Sequence, residues 1–176
     1  MAAIRRFDAA ALHAALDSRR QELGLSWPQL ATQLWEQSSE LNARRDDHPI
    51  ATETIAKMNE RGAISAMHAL FILRWLGLPP EAFLGYQGAL PAACTIPDPG
   101  SDRRLRWHLR RLYDALNERR QAEGLTWPQL AEILHCTPSQ LTGLRTAKFG
   151  LNMRIAMAIT QWLHKPAAAF IYAAEW

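Results

Sequence analysis

The segment LSWPQLA, Leu25 to Ala31, returns one hundred positions later as LTWPQLA, Leu125 to Ala131. The echo extends upstream, where LDSRRQELGL (Leu16–Leu25) matches LNERRQAEGL (Leu116–Leu125). Downstream, Arg74-Trp75-Leu76 followed by Pro80 and Phe83 parallels Gln161-Trp162-Leu163 followed by Pro166 and Phe170. A unit written twice, rather than many times at a short period, is a duplicated self-sufficient domain and not a solenoid. The expected organisation is residues 1–84, a linker at 85–102, and residues 103–176. The linker, Gly85 to Asp102, holds three prolines and three glycines and has no helical period. Fully extended it would reach about 60 Å.

Within each copy the apolar spacing is helical. Ala11, Leu12, Ala15, Leu16 and Leu23 trace one face of a first helix that Gly24 closes, and Leu105, Leu109, Leu112, Leu116 and Gly124 repeat the plan. No long stretch alternates with period two, so the expected fold class is all-α, with about five helices per unit. The apolar tail AAAFIYAAEW, Ala167 to Trp176, then supplies the fifth helix of the second unit, or alternatively a dimer contact.

The repeated segment is a helix start. Ser26 and Thr126 are good N-caps, and Gln29 and Gln129 three residues later complete capping boxes. Pro28 and Pro128 fall at the second helical position, where a missing N–H costs no intrahelical bond. Trp27 and Trp127 are expected to pack on the first helix. Such a start also presents N–H groups and a positive dipole end to phosphate, with Gln29 and Gln129 as added donors.

A third helix follows in each copy. In the second, Thr137 caps, Pro138 opens and Gln140 completes another capping box, giving a helix expected to run to about Ala147. Two short helices joined by a tight turn have helix-turn-helix geometry. Leu141 and Leu144 face inward; Ser139, Thr142, Gly143 and Thr146 face outward, with Arg145 on the flank. The first copy carries an insertion, Trp35 to Pro49, with its second helix expected to continue through WEQSSELNARR. Its third helix puts Ile55 and Met58 inward and Thr52, Glu53, Ala56 and Lys57 outward.

TIAKMNERGAIS (Thr54–Ser65) followed by RWLGLPPEAFL (Arg74–Leu84) resembles the Xre/Cro, or lambda-repressor-like, helix-turn-helix family. CTPSQLTGLRTAKF (Cys136–Phe149) with AITQWLHKPAAAF (Ala158–Phe170) resembles a second, more diverged member. The resemblance covers nearly the whole chain apart from the linker. It implies five-helix domains that bind double-stranded DNA, commonly as transcriptional regulators and often as homodimers. The family's base-reading positions fall on Thr52, Glu53 and Lys57, and on Ser139 and Gly143. This chain departs from the pattern at Gly143, which has no side chain, at Pro138, at the acidic Glu53, and in the long insertion.

Charge and composition narrow the function classes. Net charge is +3, and no acidic residue occurs between Ile133 and Ala174, where Arg145, Lys148, Arg154 and Lys165 are found. A one-sided basic half suits a polyanion. No apolar stretch approaches the roughly 20 residues that would span a bilayer, and the N-terminus lacks a signal peptide's apolar run, so a cytoplasmic location is expected. Cys94 and Cys136 read as two reduced thiols. Asp46-Asp47-His48 reads as a capping turn. The remaining histidines have no nucleophile at a meaningful spacing, and there is no phosphate-binding glycine loop, so no enzyme, metal or cofactor is expected. Arg103, Arg104, Arg106, Arg110 and Arg111 read as a solvated helix face. The expected function is DNA-binding transcriptional regulation. Thr52, Glu53, Lys57, Ser139 and Thr142 would read bases; Gln29, Arg61, Gln129, Arg145 and Lys148 would contact phosphate. The alternative is a protein-interaction module, an accessory or antitoxin-like factor engaging a partner protein through its first domain.

Overall fold

The computed structural model describes residues 3–147 and 150–176. The first unit comprises α1 (Ala9–Glu22), α2 (Trp27–Glu36), α3 (Ser39–Ala43), α4 (Thr52–Ala56), α5 (Ala66–Leu76) and a 3₁₀ turn at Pro80–Phe83. The second comprises β1 (Arg104–Trp107), α6 (Leu109–Ala122), α7 (Trp127–Ile133), α8 (Pro138–Thr142), a 3₁₀ turn at Gly143–Arg145, α9 (Met153–Trp162), a 3₁₀ turn at Ala167–Phe170 and β2 (Ile171–Ala174). Local chemistry sets the boundaries. Asp8 caps α1 by accepting the Ala11 N–H at 2.9 Å. Both first helices are followed by glycines in the left-handed region, Gly24 at φ 64° and Gly124 at φ 66°, where a Cβ would be strained.

The all-α expectation is corrected. β1 pairs antiparallel with β2, in the register Arg104–Ala174, Leu105–Ala173, Arg106–Tyr172 and Trp107–Ile171. Leu105, expected on the first helix of the second unit, is therefore a strand residue, and the helix begins only at Leu109, capped by His108. The tail is a strand rather than a fifth helix. Pro166 and the 3₁₀ turn end the helical path, and Ile171 and Tyr172 suit an extended backbone. Among the described residues the first unit has five α-helices, one of them in the insertion, and the second has four, each series followed by a short 3₁₀ turn. α2 does not run through the insertion: it stops at Glu36, and Ser38 and Arg44 bound the separate α3. α8 is also shorter than expected, giving way to 3₁₀ geometry at Gly143.

The Arg103–Arg111 cluster is likewise not a solvated helix face. Arg104 is only 3% exposed. It reaches Asp47 at 2.8 Å and Asn42 at 2.7 Å, and lies over the Trp35 ring at 4.4 Å. The insertion is thus fastened to β1 and to the end of the linker. Ser38 donates to the Arg103 carbonyl at 2.7 Å, and the Leu41 N–H donates to the Ser101 carbonyl at 3.2 Å. The linker is folded against the body, with Cys94 buried.

One continuous apolar cluster joins both units, from Leu12, Leu30 and Ile55 through Leu70 and Leu73 to Leu112, Leu141, Ile155 and Ile159. Across the seam α5 packs on α9. Their N-caps, Ser65 and Asn152, form an antiparallel bridge. The Ala66 N–H donates to the Leu151 carbonyl at 2.7 Å, and the Met153 N–H donates to the Ile64 carbonyl at 2.9 Å. Ala66 and Met153 hold equivalent places in the two copies, as do Ile64 and Leu151. Each copy therefore gives what it receives, which is the rule of a two-fold interface, here realised inside one chain. The same exchange recurs at the strand side, where β1 lies on α5 while the segment before α1 lies on α9. There the Arg5 N–H donates to Gln161 Oε1 at 2.8 Å and Gln161 Nε2 returns a bond to the Arg5 carbonyl at 2.9 Å.

Candidate nucleic-acid interface

The repeated WPQ segment is built alike in both units. Ser26 Oγ accepts the Gln29 N–H at 3.3 Å, and Gln29 Oε1 accepts the Ser26 N–H at 2.8 Å. Thr126 and Gln129 repeat the pair at 3.4 and 2.8 Å. Each exposed glutamine thus has its oxygen committed to the cap, while its amide nitrogen has no partner among the described residues. The tryptophans are clamped. Arg20 lies over Trp27 at 4.6 Å with His13 stacked at 5.4 Å; Arg120 lies over Trp127 at 4.5 Å with Tyr113 stacked at 5.6 Å. Arg20 and Arg120 also donate to the carbonyls of Leu25 and Leu125, at 2.6 and 2.5 Å. These arginines fix the angle at which the second helix leaves the first.

The second-helix start and the third helix then lie on one framework, because α2 packs on α4 and α7 on α8. Burying Ile55 and Met58 turns Glu53 and Lys57 to solvent, with side chains 77% and 51% exposed and their charged ends 3.8 Å apart. Thr52 is half-buried, and Arg61 is exposed in the turn that follows. In the second unit Leu141 and Leu144 are buried, and Ser139, Thr142 and Arg145 are exposed. Thr142 Oγ1 donates to the Pro138 carbonyl at 3.2 Å, and Ser139 Oγ lies 3.2 Å from Thr137 Oγ1. Both hydroxyls keep acceptor capacity toward solvent. Gly143 is half-buried. Lys148 lies outside the described residues.

The polar contacts that the insertion makes outside itself and α2 run to the linker, β1 and α5, with none to α4 among the described residues. The tail, paired with β1, is likewise accounted for. No protein-family model matches the chain, and neither a curated protein nor a solved structure resembles it significantly.

The two faces differ electrostatically. Around α4, Glu53 and Glu60 alternate with Lys57 and Arg61. Around α8 there is no acidic side chain in sequence from Ile133 to Ala174. Arg145 makes no ion pair among the described residues, whereas Arg154 is turned aside to the His135 carbonyl at 3.1 Å. The thiol of Cys136, which lies between α7 and α8, is pushed up to about 11 by burial, so it is neutral at ordinary pH. Sequence reasoning missed the bridge between the N-caps of α5 and α9. Its only trace in the sequence is that the N-caps Ser65 and Asn152 both precede strongly apolar helices, a pattern equally consistent with two separate domains. Among the described residues no helix is long and apolar enough to cross a membrane.

Proposed function

We propose that this chain binds double-stranded DNA as a transcriptional regulator, using its two units as the halves of a built-in dimer. The reciprocal bridge between Ser65 and Asn152 is the observation that carries this reading. It relates two exposed third helices by an approximate two-fold, the symmetry with which helix-turn-helix pairs meet two half-sites. Exposed small polar side chains on α8, an Arg145 with no ion pair among the described residues and the outward amides of Gln29 and Gln129 support it, as does the resemblance to Xre/Cro sequences. In this scheme Thr52, Glu53, Lys57, Ser139 and Thr142 face base edges. Gln29, Arg61, Gln129 and Arg145 face phosphates, and Lys148, outside the described residues, is assigned the same role from its place in the sequence.

The test is selection from a random duplex library at two salt concentrations. An enriched, imperfectly dyad-symmetric site whose affinity falls steeply with salt is expected. Recovery of no sequence, with binding to bulk duplex absent even at low salt, would refute the proposal. One observation favours a second reading. Glu53 and Glu60 are exposed beside α4, a poor setting for phosphate and a fair one for a basic partner protein.

A further inference from the structure

A cavity of about 470 Å³, half open to solvent, lies at the seam between the N-terminal segment, the linker and the C-terminal end of α9. Its walls are largely apolar, with Ile4, Leu84, Leu90, Pro91, Met157 and Trp162 among them. Glu81 also lines it and is 7% exposed. Glu81 Oε1 accepts the Ala167 N–H at 2.7 Å, but its Oε2 is buried with no partner among the described residues. The buried indole N–H of Trp162 is a second orphan, but it is a donor, which a cationic nitrogen does not satisfy. A buried carboxylate oxygen without a donor is costly, and polar groups so placed normally find a partner. Lys165 stands at the rim, yet it is exposed and makes no ion pair with Glu81 among the described residues. The volume is in the range of small-molecule sites, which combine apolar walls with a few placed polar groups. Burial, followed by the Glu81 charge, raises the Cys94 thiol in the same wall.

From this geometry we propose that the cavity is a binding site for a small apolar molecule carrying a cationic nitrogen donor, such as an alkyl or aryl ammonium. In the free chain Glu81 Oε2 is sealed from the cavity, so the nitrogen supplies its missing partner once that carboxyl turns toward the opening, and the hydrocarbon fills the apolar walls. The site is independent of the DNA reading, since no proposed DNA-contact residue lines it.

The test is calorimetric and NMR titration of the full chain with phenethylamine, its alcohol analogue and its carboxylate analogue. The amine should bind most tightly and shift the resonances of Met157 and the Trp162 indole. Glu81→Gln, which keeps an acceptor for Ala167, should weaken the amine about tenfold or more while leaving the alcohol nearly unchanged. Ala93→Trp alters an exposed rim residue, so folding is not at stake, and it should abolish amine binding by filling the entrance. Equal affinity for the three analogues, no binding of the amine at millimolar concentration, or amine binding unchanged in both variants would each overturn the assignment.

Discussion

Arg104 and Asp47 form an ion pair whose two ends are buried to very different extents, and that asymmetry gives a sharp prediction. Arg104 is 3% exposed and the Asp47 side chain 29%. Replacing Asp47 by Ala leaves a guanidinium sealed in the fold with only Asn42 and the Trp35 ring for company. Stranding a buried charge in this way costs about 3–5 kcal/mol. Replacing Arg104 by Met removes the charge, keeps similar bulk against Trp35, and returns Asp47 to solvent and to Arg45, its neighbour at 2.7 Å. That exchange should cost only about 1 kcal/mol, mostly from the unpaired Asn42 oxygen. The double variant should then resemble Arg104→Met alone, a coupling of about 3–5 kcal/mol. Urea unfolding followed by far-UV circular dichroism measures all three. If Arg104→Met proves as damaging as Asp47→Ala, or the two losses simply add, the ion pair is not what fastens the insertion.

The same pair carries a pH signature. Hydrogen bonds from Arg45 and then Arg104 hold the Asp47 carboxyl below its ordinary range. Because the folded value is the lower one, the unfolded chain takes up the proton first as pH falls. The contribution is full above the unfolded value of about 4 and is lost as pH drops through the folded value. In Asp47→Ala this part of the acid sensitivity should disappear.

Three further outcomes are expected. Arg145→Ala should weaken duplex binding for all sequences alike and reduce the salt slope by about one, measured by fluorescence anisotropy across a salt series. Lys57→Ala should change the preferred base at one position of the selected site, by about 1–3 kcal/mol of discrimination, rather than lower affinity uniformly. Cys136, with its thiol pushed up to about 11, and Cys94, raised by burial, should react with a thiol reagent at pH 8 far more slowly in the native chain than in urea.

What was legible in the sequence was local. The capping boxes at Ser26, Thr126 and Thr137, the prolines just inside their helices, and the stops at Gly24 and Gly124 each depend on residues within one turn, and all are found where spacing put them. The burial of Ile55, Met58, Leu141 and Leu144 and the exposure of Glu53, Lys57, Ser139 and Thr142 also followed from helical spacing, whereas Thr52, Ala56 and Gly143, expected outward, are half-buried. Long-range pairing was not legible. RLRW does alternate, with Leu105 and Trp107 inward, but four residues are too few to separate a strand from the start of a helix. Its partner IYAA lies at the far end of the unit. Arg104 read as solvated because its partners, Asp47 and Asn42, arrive from the insertion in the other copy. Glu81 gave no signal at all, since its isolation becomes visible only once the linker and the Ala167 turn close around it.

The bridge and the insertion together bear on why such a unit would be duplicated within one chain. A homodimer must present identical third helices, so its two halves read the same sequence. Here the equivalent faces have diverged: a charged pair, Glu53 and Lys57, on α4, and hydroxyls with a nearby arginine on α8. The reciprocal hydrogen bonds at Ile64–Ala66 and Leu151–Met153 keep the two-fold relation, while the Asp47–Arg104 fastening, which has no counterpart among the described residues of the other copy, makes the assembly one-directional. On the DNA-binding proposal this combination favours a site with two unlike halves, bound in a single orientation by one chain. Grafting Ser139 and Thr142 onto the matching positions Glu53 and Ala56 should then shift the selected site toward a true palindrome. Selection of an unchanged, asymmetric site by that variant would show that α4 does not read bases.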